Sequence, residues 1–166
     1  MMMSATQEQF RQAMGAFATG VTVITLDDNG EVHGMTANAF ASVSLYPQMV
    51  LVCVDQKAVT HAHMHARKRF GINVLSELQT AISEHYADPE RNSTGAERAG
   101  ARFERTSQAT PVLQGALAYL ECRLQDARDA GDHTIFIAEV EDVVVRQGNP
   151  LLFFGSDYHG MGAKLR

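Results

Sequence analysis

Val21-Thr22-Val23-Ile24-Thr25-Leu26, then Asp27-Asp28-Asn29-Gly30, then Glu31 through Asn38: these three pieces, read in order, set the fold class. The first is rich in β-branched residues, which suit a pleated strand. The second ends in Asn-Gly, the pair that most readily takes the left-handed dihedrals of a two-residue hairpin turn. The third is therefore expected to run back beside the first as an antiparallel partner. The same pattern recurs outward. Ser42 to Leu45 and Met49 to Val54 read as strands separated by a turn at Pro47, and the second is apolar throughout, so both of its faces are expected to be buried. Phe70 to Leu75 is a further strand, and Ala116 to Leu124 and His133 to Val145 flank a turn at 127–132. Six or seven strands that do not alternate with helices predict a mainly β fold, a closed antiparallel barrel with peripheral helices, and not a doubly wound parallel sheet.

The helices are few. Thr6 and Gln9 have the spacing of a capping box, and Phe10, Ala13, Met14 and Phe17 follow at helical intervals, a stripe expected to join the core or a subunit interface. Thr60 is expected to cap a short helix through Arg69, and Ser76 with Gln79 a second one to about Tyr86. The stretch from Ala87 to Gly100 reads as a long loop, and the chain after Gly155 as a loose tail.

Composition narrows the function classes. A chain of 166 residues predicts one domain, 1–166, with its core about 10–158. The net charge is −5, and the densest basic run, Arg67-Lys68-Arg69, suits the cationic end of a helix, so nucleic acid is not an expected partner. Cys53 and Cys122 lie in apolar strands and read as reduced core residues. Met1 to Thr6 lacks the pattern of a signal peptide and no apolar run reaches a membrane span, which makes the cytoplasm the expected location. There is no G-x-G-x-x-G, no Walker A motif, no G-x-S-x-G and no C-x-x-C.

The stretch Gly34-Met-Thr-Ala-Asn-Ala-Phe-Ala-Ser-Val-Ser-Leu45 fits that silence. It interleaves neutral donors (Thr36, Asn38, Ser42, Ser44) with small residues and holds no ionisable group. Such a mixture lets backbone amides approach a flat heteroaromatic ring and satisfies its carbonyls and nitrogens. Moving a hydride between two stacked rings needs orientation and donors toward developing charge more than a side-chain base. A competing constellation is His61, His63 and His65, in which His61 and His65 would share a helix face at a spacing compatible with zinc or nickel, or form a solvated face.

The chain also resembles a known family. Gly20-Val-Thr-Val-Ile-Thr25, the 34–45 stretch, Val50-Leu-Val-Cys-Val54, Phe70-Gly-Ile-Asn-Val-Leu75, Gly131-Asp-His133 and Pro150-Leu-Leu-Phe-Phe154 resemble, in order, the flavin reductases that serve two-component monooxygenases. The resemblance implies an FMN-binding split β-barrel of Greek-key type, usually a homodimer. It further implies reduction of FMN or FAD by NADH or NADPH, with reduced flavin passed to an oxygenase component. It would place Thr36, Ala37 and Asn38 at the ring and ribityl chain, Ser42, Val43 and Ser44 at the other edge, and Val54, Asp55, Gln56, Lys57 and Thr60 beside the ribityl and phosphate. His133 would meet the nicotinamide, and Tyr158 and His159 would cover the flavin. The chain has Ala58 where many members have serine, Gln48 in place of a second proline, and Ala138 where many have glycine. A flavin-binding electron carrier or sensor on the same barrel is the alternative to a turning-over reductase.

Overall fold

Asn29 and Gly30 both take positive φ (55° and 94°), and the strands on either side pair in register from Asp28–Glu31 to Thr22–Ala37. The hairpin is therefore formed by the local chemistry that predicts it. The computed structural model describes residues 4–91 and 93–165. Its elements in order are α1 (Gln7–Gly15), β1 (Thr19–Gly20), β2 (Thr22–Asp28), β3 (Glu31–Ala37), β4 (Phe40–Leu45), β5 (Gln48–Asp55), α2 (Val59–Arg67) and β6 (Arg69–Val74). A single turn at Glu77–Gln79 leads into α3 (Thr80–Ala87), followed by α4 (Ser93–Arg98), β7 (Phe103–Arg105), β8 (Pro111–Leu113), β9 (Ala118–Ala130), β10 (His133–Val145), β11 (Leu152–Phe154) and β12 (Asp157–His159).

Seven strands form one sheet in the order β3-β2-β6-β9-β10-β5-β4, and every neighbouring pair is antiparallel. The two edge strands, β3 and β4, are consecutive in the chain and joined only by Asn38 and Ala39. A flat sheet of this width would separate them by about 29 Å at the usual strand spacing. Two linking residues span only about 10 Å. The sheet must therefore curl until its edges meet, giving a Greek-key barrel whose one break lies between β3 and β4. The Cys53 amide donates to the Ala39 carbonyl (2.9 Å) and pins the corner to β5. The β5-to-β6 connection carries α2 across one end, where it lies against β2, β3, β5 and β6 and buries Met64 in the barrel.

Two cores result. The barrel interior holds Ile24, Leu26, Val52, Phe70, Ile72 and Phe136. On the outer face of β2, Val21 and Val23 pack with Leu75, Ile82, Tyr86 and Leu113 under α3 and β8. Thus β2 is buried on both sides and its inner and outer residues serve different cores. A buried polar knot joins the layers: Asn73 Nδ2 donates to the Val23 carbonyl and Thr25 Oγ1 (both 3.0 Å), Asn73 Oδ1 accepts from the Leu113 amide (2.8 Å), and Thr25 Oγ1–H donates to the Pro111 carbonyl (2.6 Å).

Several expectations are corrected. The run Met49 to Val54 is buried on one face only; Leu51 and Cys53 alternate with the buried Val50, Val52 and Val54 and are partly exposed. The turn expected at 127–132 shrinks to Gly131-Asp132, since β9 and β10 stay paired out to Ala130–His133 as a solvated overhang whose charged side chains look like a turn in sequence. The 87–100 loop contains α4, with Asn92 outside the described residues. The tail after Gly155 begins in paired structure: β12 pairs with β11, and β11 with β1, while 160–165 is exposed and outside any strand or helix. The capping box of α1 is present, but Phe10, Met14 and Phe17 are 62%, 52% and 71% exposed, so the stripe is not core in this chain. Among the described residues, no helix is long and apolar enough to cross a membrane.

Candidate functional site

The break in the barrel brings one part of the 34–45 stretch to the rim of β5. Asn38 sits at the corner, next to the Ala39–Cys53 link, and is exposed, its side-chain amide without a hydrogen-bond partner among the described residues. Thr36 is committed: its hydroxyl donates to the Ser83 carbonyl (2.7 Å) and ties β3 to α3. The Ala37 methyl packs on the barrel core, and its carbonyl accepts from Thr22 Oγ1–H (2.6 Å), so bulk at this position would press on the core as much as on a ligand. Ser42 and Val43 are exposed on β4, and Ser44 Oγ accepts from the Tyr46 amide (3.2 Å). Ser42 pairs with Val50, about 13 Å along β5 from Val54. The 36–38 and 42–44 segments therefore flank an elongated face, not one point.

The other end of that face is built by the β5–α2 loop and the β9–β10 turn. Asp55 is opposite His133 in the β5–β10 register. The Gln56 amide donates to the Asp132 carbonyl (3.0 Å) and Gln56 Nε2 to the His133 carbonyl (3.3 Å), so loop and turn brace each other. The Lys57 amide donates to Asp55 Oδ1 (2.8 Å), leaving the ammonium exposed. His133 Nδ1 lies 2.8 Å from Asp132 Oδ1. The hydrogen bond to His133 holds the Asp132 carboxyl below its ordinary range, with the charge of Lys57 a smaller contribution in the same direction. An ionised carboxylate can only accept, so Nδ1 is the donor of this pair and Nε2 is left facing away from Asp132.

Two expected site residues point inward. Val54 belongs to the barrel core. Thr60 is fully buried and does not cap α2; the N-cap position is Ala58, which makes no side-chain cap. Instead Thr60 Oγ1 lies 2.7 Å from His33 Nε2. His33 was missed because a lone histidine in a strand carries no local signal; its alternation with Met35 and Ala37 is the one hint that it faces the barrel end. Burial, then Arg91, lowers its pKa to about 4, so the ring is neutral at physiological pH. The α2 histidines do not converge. His61 Nε2 lies 2.9 Å from Thr134 Oγ1, while the His61 and His65 rings meet edge-on and both rest on Phe136; His63 stacks on His33 at 4.6 Å. Among the described residues, no group of three His, Cys, Asp or Glu is placed to hold a metal ion.

An extended, partly apolar face with exposed neutral donors, Asn38 near the His133 and Lys57 end and Ser42 farther along β5, suits a flat ring bearing carbonyls and a phosphate tail. A profile of the Flavin reductase like domain matches residues 14–162. The chain belongs to the flavin reductase family. Within that family it is 39% identical over 146 residues to the reductase component of a 4-nitrophenol 4-monooxygenase/4-nitrocatechol 2-monooxygenase from Rhodococcus opacus, covering 88% of this chain and 76% of that relative. It is 38% identical over 156 residues to an NADH-dependent flavin reductase from Pseudomonas fluorescens, covering 91% and 88%. The solved NADH:FAD oxidoreductase of Streptomyces globisporus superposes with a TM-score of 0.88 at 34% identity, over 96% of this chain and 95% of that one.

At the position where many family members have glycine, Ala138 is fully buried in the barrel between β5 and β9, so its methyl acts on packing. Tyr158 does not stand free as a cover: its hydroxyl lies 2.8 Å from Ser83 Oγ and its ring packs on Phe153, while His159 Nε2 is 3.1 Å from the Phe154 carbonyl oxygen.

Proposed function

We propose that the chain is an NAD(P)H:flavin oxidoreductase that reduces FMN or FAD and passes the reduced flavin to an oxygenase component. The observation that carries this reading is one face that presents exposed Asn38 at the barrel break, near the Asp132-held His133, and exposed Ser42 farther along β4. Bound there, flavin supplies the redox chemistry by accepting a hydride from the nicotinamide. Asn38 and Ser42 hold the polar ring edge. Lys57 offers its charge to the phosphate, and the α2 N-terminus, left without a side-chain cap by Ala58, offers backbone donors to the same anion. His133 Nε2 hydrogen-bonds the nicotinamide carboxamide, and Asp132 orients the ring by accepting from Nδ1.

The chain acts as a single domain and as a homodimer in this reading. The exposed apolar residues of α1, together with Val43 and Leu45 on β4 and Val143 and Val145 on β10, support an assembly that covers them. A light-scattering mass near that of one 18.2 kDa chain counts against it. The two free cysteines suit the reducing cytoplasm.

Steady-state oxidation of NADH and NADPH with added FMN or FAD tests the activity, and absence of turnover with every pairing overturns it. His133→Ala is expected to raise the Michaelis constant for the nicotinamide about two- to thirteenfold, the worth of one neutral hydrogen bond, with flavin affinity little changed. Stopped-flow reduction at the wild-type rate, with the wild-type nicotinamide dependence, removes His133 from the site.

A further inference from the structure

A relay of side chains joins α2 to the β9–β10 hairpin from inside the barrel end. Thr134 is fully buried and stands opposite Asp129 in the β9–β10 register. Its hydroxyl donates to Asp129 Oδ1 (2.7 Å), and His61 Nε2 lies 2.9 Å from Thr134 Oγ1. A hydroxyl has one proton to give. With that proton directed at Asp129, Thr134 Oγ1 accepts from His61, so Nε2–H is the donor and the relay runs from His61 through Thr134 to Asp129. The His61 ring is held from two sides, edge-on to Phe136 at 5.4 Å and to His65 at 4.7 Å.

The two ends of the relay are the two parts of the site. Successive residues of a strand face opposite ways. Along β10, Thr134, Phe136 and Ala138 are buried in the barrel, so His133 leaves on the outer side, with Thr134 as its inner anchor. At the other end, the His61 amide donates to the Ala58 carbonyl (3.0 Å), which places the imidazole in the first turn of α2, beside Lys57 and the uncapped N-terminus. A second brace spans the same gap at the surface, from Gln56 Nε2 to the His133 carbonyl, but it is longer (3.3 Å) and exposed. The His61–Thr134 bond is the better shielded from water and therefore the stronger of the two.

We propose that His61 is a positioning residue for hydride transfer: acting through Thr134, it sets how far the phosphate end of the flavin site stands from His133. The inference rests on the flavin reductase reading above. In that reading Asn38 and Lys57 hold the flavin and His133 the nicotinamide, so the relay adds little to either affinity. What it fixes is the placement of one ring against the other, and a misplacement of about 1 Å costs up to about a hundredfold in rate.

Three variants separate the donor from the ring. His61→Phe keeps a ring against Phe136 without a donor. His61→Gln keeps an N–H at the Nε2 position without the ring. Thr134→Val removes the acceptor and keeps the side-chain shape. In stopped-flow reduction of flavin-loaded protein, His61→Phe and Thr134→Val should lower the rate constant at saturating nicotinamide about ten- to a hundredfold, with both affinities changed by less than about threefold. The double variant should be no slower than the slower single one, since the pair acts as a unit. His61→Gln should restore the rate constant to within about threefold of the wild type. In ligand-free protein, hydrogen exchange at the Gln56 amide, which donates to the Asp132 carbonyl, should quicken in the two slow variants and not in His61→Gln. A purely structural role would lower the melting temperature or the loaded fraction and leave the single-turnover rate constant unmoved. Wild-type rate constants in His61→Phe and Thr134→Val overturn the assignment. So does a His61→Gln variant as slow as His61→Phe, or Gln56 exchange that is the same in every variant. Any of these with wild-type turnover intact removes the role of His61 alone, whereas a wild type that oxidises neither NADH nor NADPH with any added flavin removes the functional reading and this role with it.

Discussion

Gly71→Val is expected to destabilise the fold by about 3–5 kcal/mol. A Cβ at this position would come within 2.6 Å of Thr25 Oγ1 and of Tyr119 Cε2, and within 3.1 Å of the Pro111 carbonyl. None of these neighbours can retreat easily. The Tyr119 side chain is 1% exposed, and the Thr25 hydroxyl is fixed between the Pro111 carbonyl and Asn73 Nδ2. Overpacking of this kind costs about 1–3 kcal/mol, and displacing Thr25 breaks buried hydrogen bonds worth about as much again. For a chain of this length the loss should lower the melting temperature by about 10–15 °C. Urea unfolding measures it directly, and a loss under about 1 kcal/mol would mean that the contact between β6 and the β2–β8 layer is looser than the geometry requires.

Asn38→Leu should weaken FMN and FAD binding about ten- to a hundredfold while leaving the melting temperature near that of the wild type. The amide is exposed and has no partner among the described residues, so the fold loses little when it goes. A ligand that depended on it loses a hydrogen bond and meets an apolar group at its polar edge, at a cost of about 1–3 kcal/mol. Ser42→Leu, at the other end of the face, is the companion variant. Equal flavin affinity in both variants and the wild type would take the 38–42 corner out of the site.

The parts of the molecule that were legible in sequence are those with a local cause. The Asn29-Gly30 turn, the α1 capping box and the β2 run each carry their own signal within a few residues, and each forms as read. Gly131-Asp132-His133 was legible for the same reason, since a turn before a strand fixes where His133 emerges. What stayed hidden depends on closure. Thr60 looks like a helix cap from its neighbours, but α2 is pushed into the barrel end, and the hydroxyl meets His33, 27 residues earlier, instead of water. Arg91 gave no sign either, because its partners are the Gly34 and His33 positions of a strand that the sequence does not place next to it. The outer face of β5 was misread because an apolar run announces burial without saying which chain provides it.

The two-residue corner at Asn38–Ala39 has a consequence for how such a protein can change over time. In many enzymes, binding is retuned by lengthening or shortening a loop on a fixed scaffold. Here the loop that presents Asn38 is also the clasp that brings the two ends of the sheet together. An inserted residue would relax the clasp and shift the register of everything beyond it. Selection at this corner is therefore confined to exchanging one side chain for another, and variation in size must be taken up elsewhere, in the segments after α3 and beyond β12 that the barrel does not need in order to close.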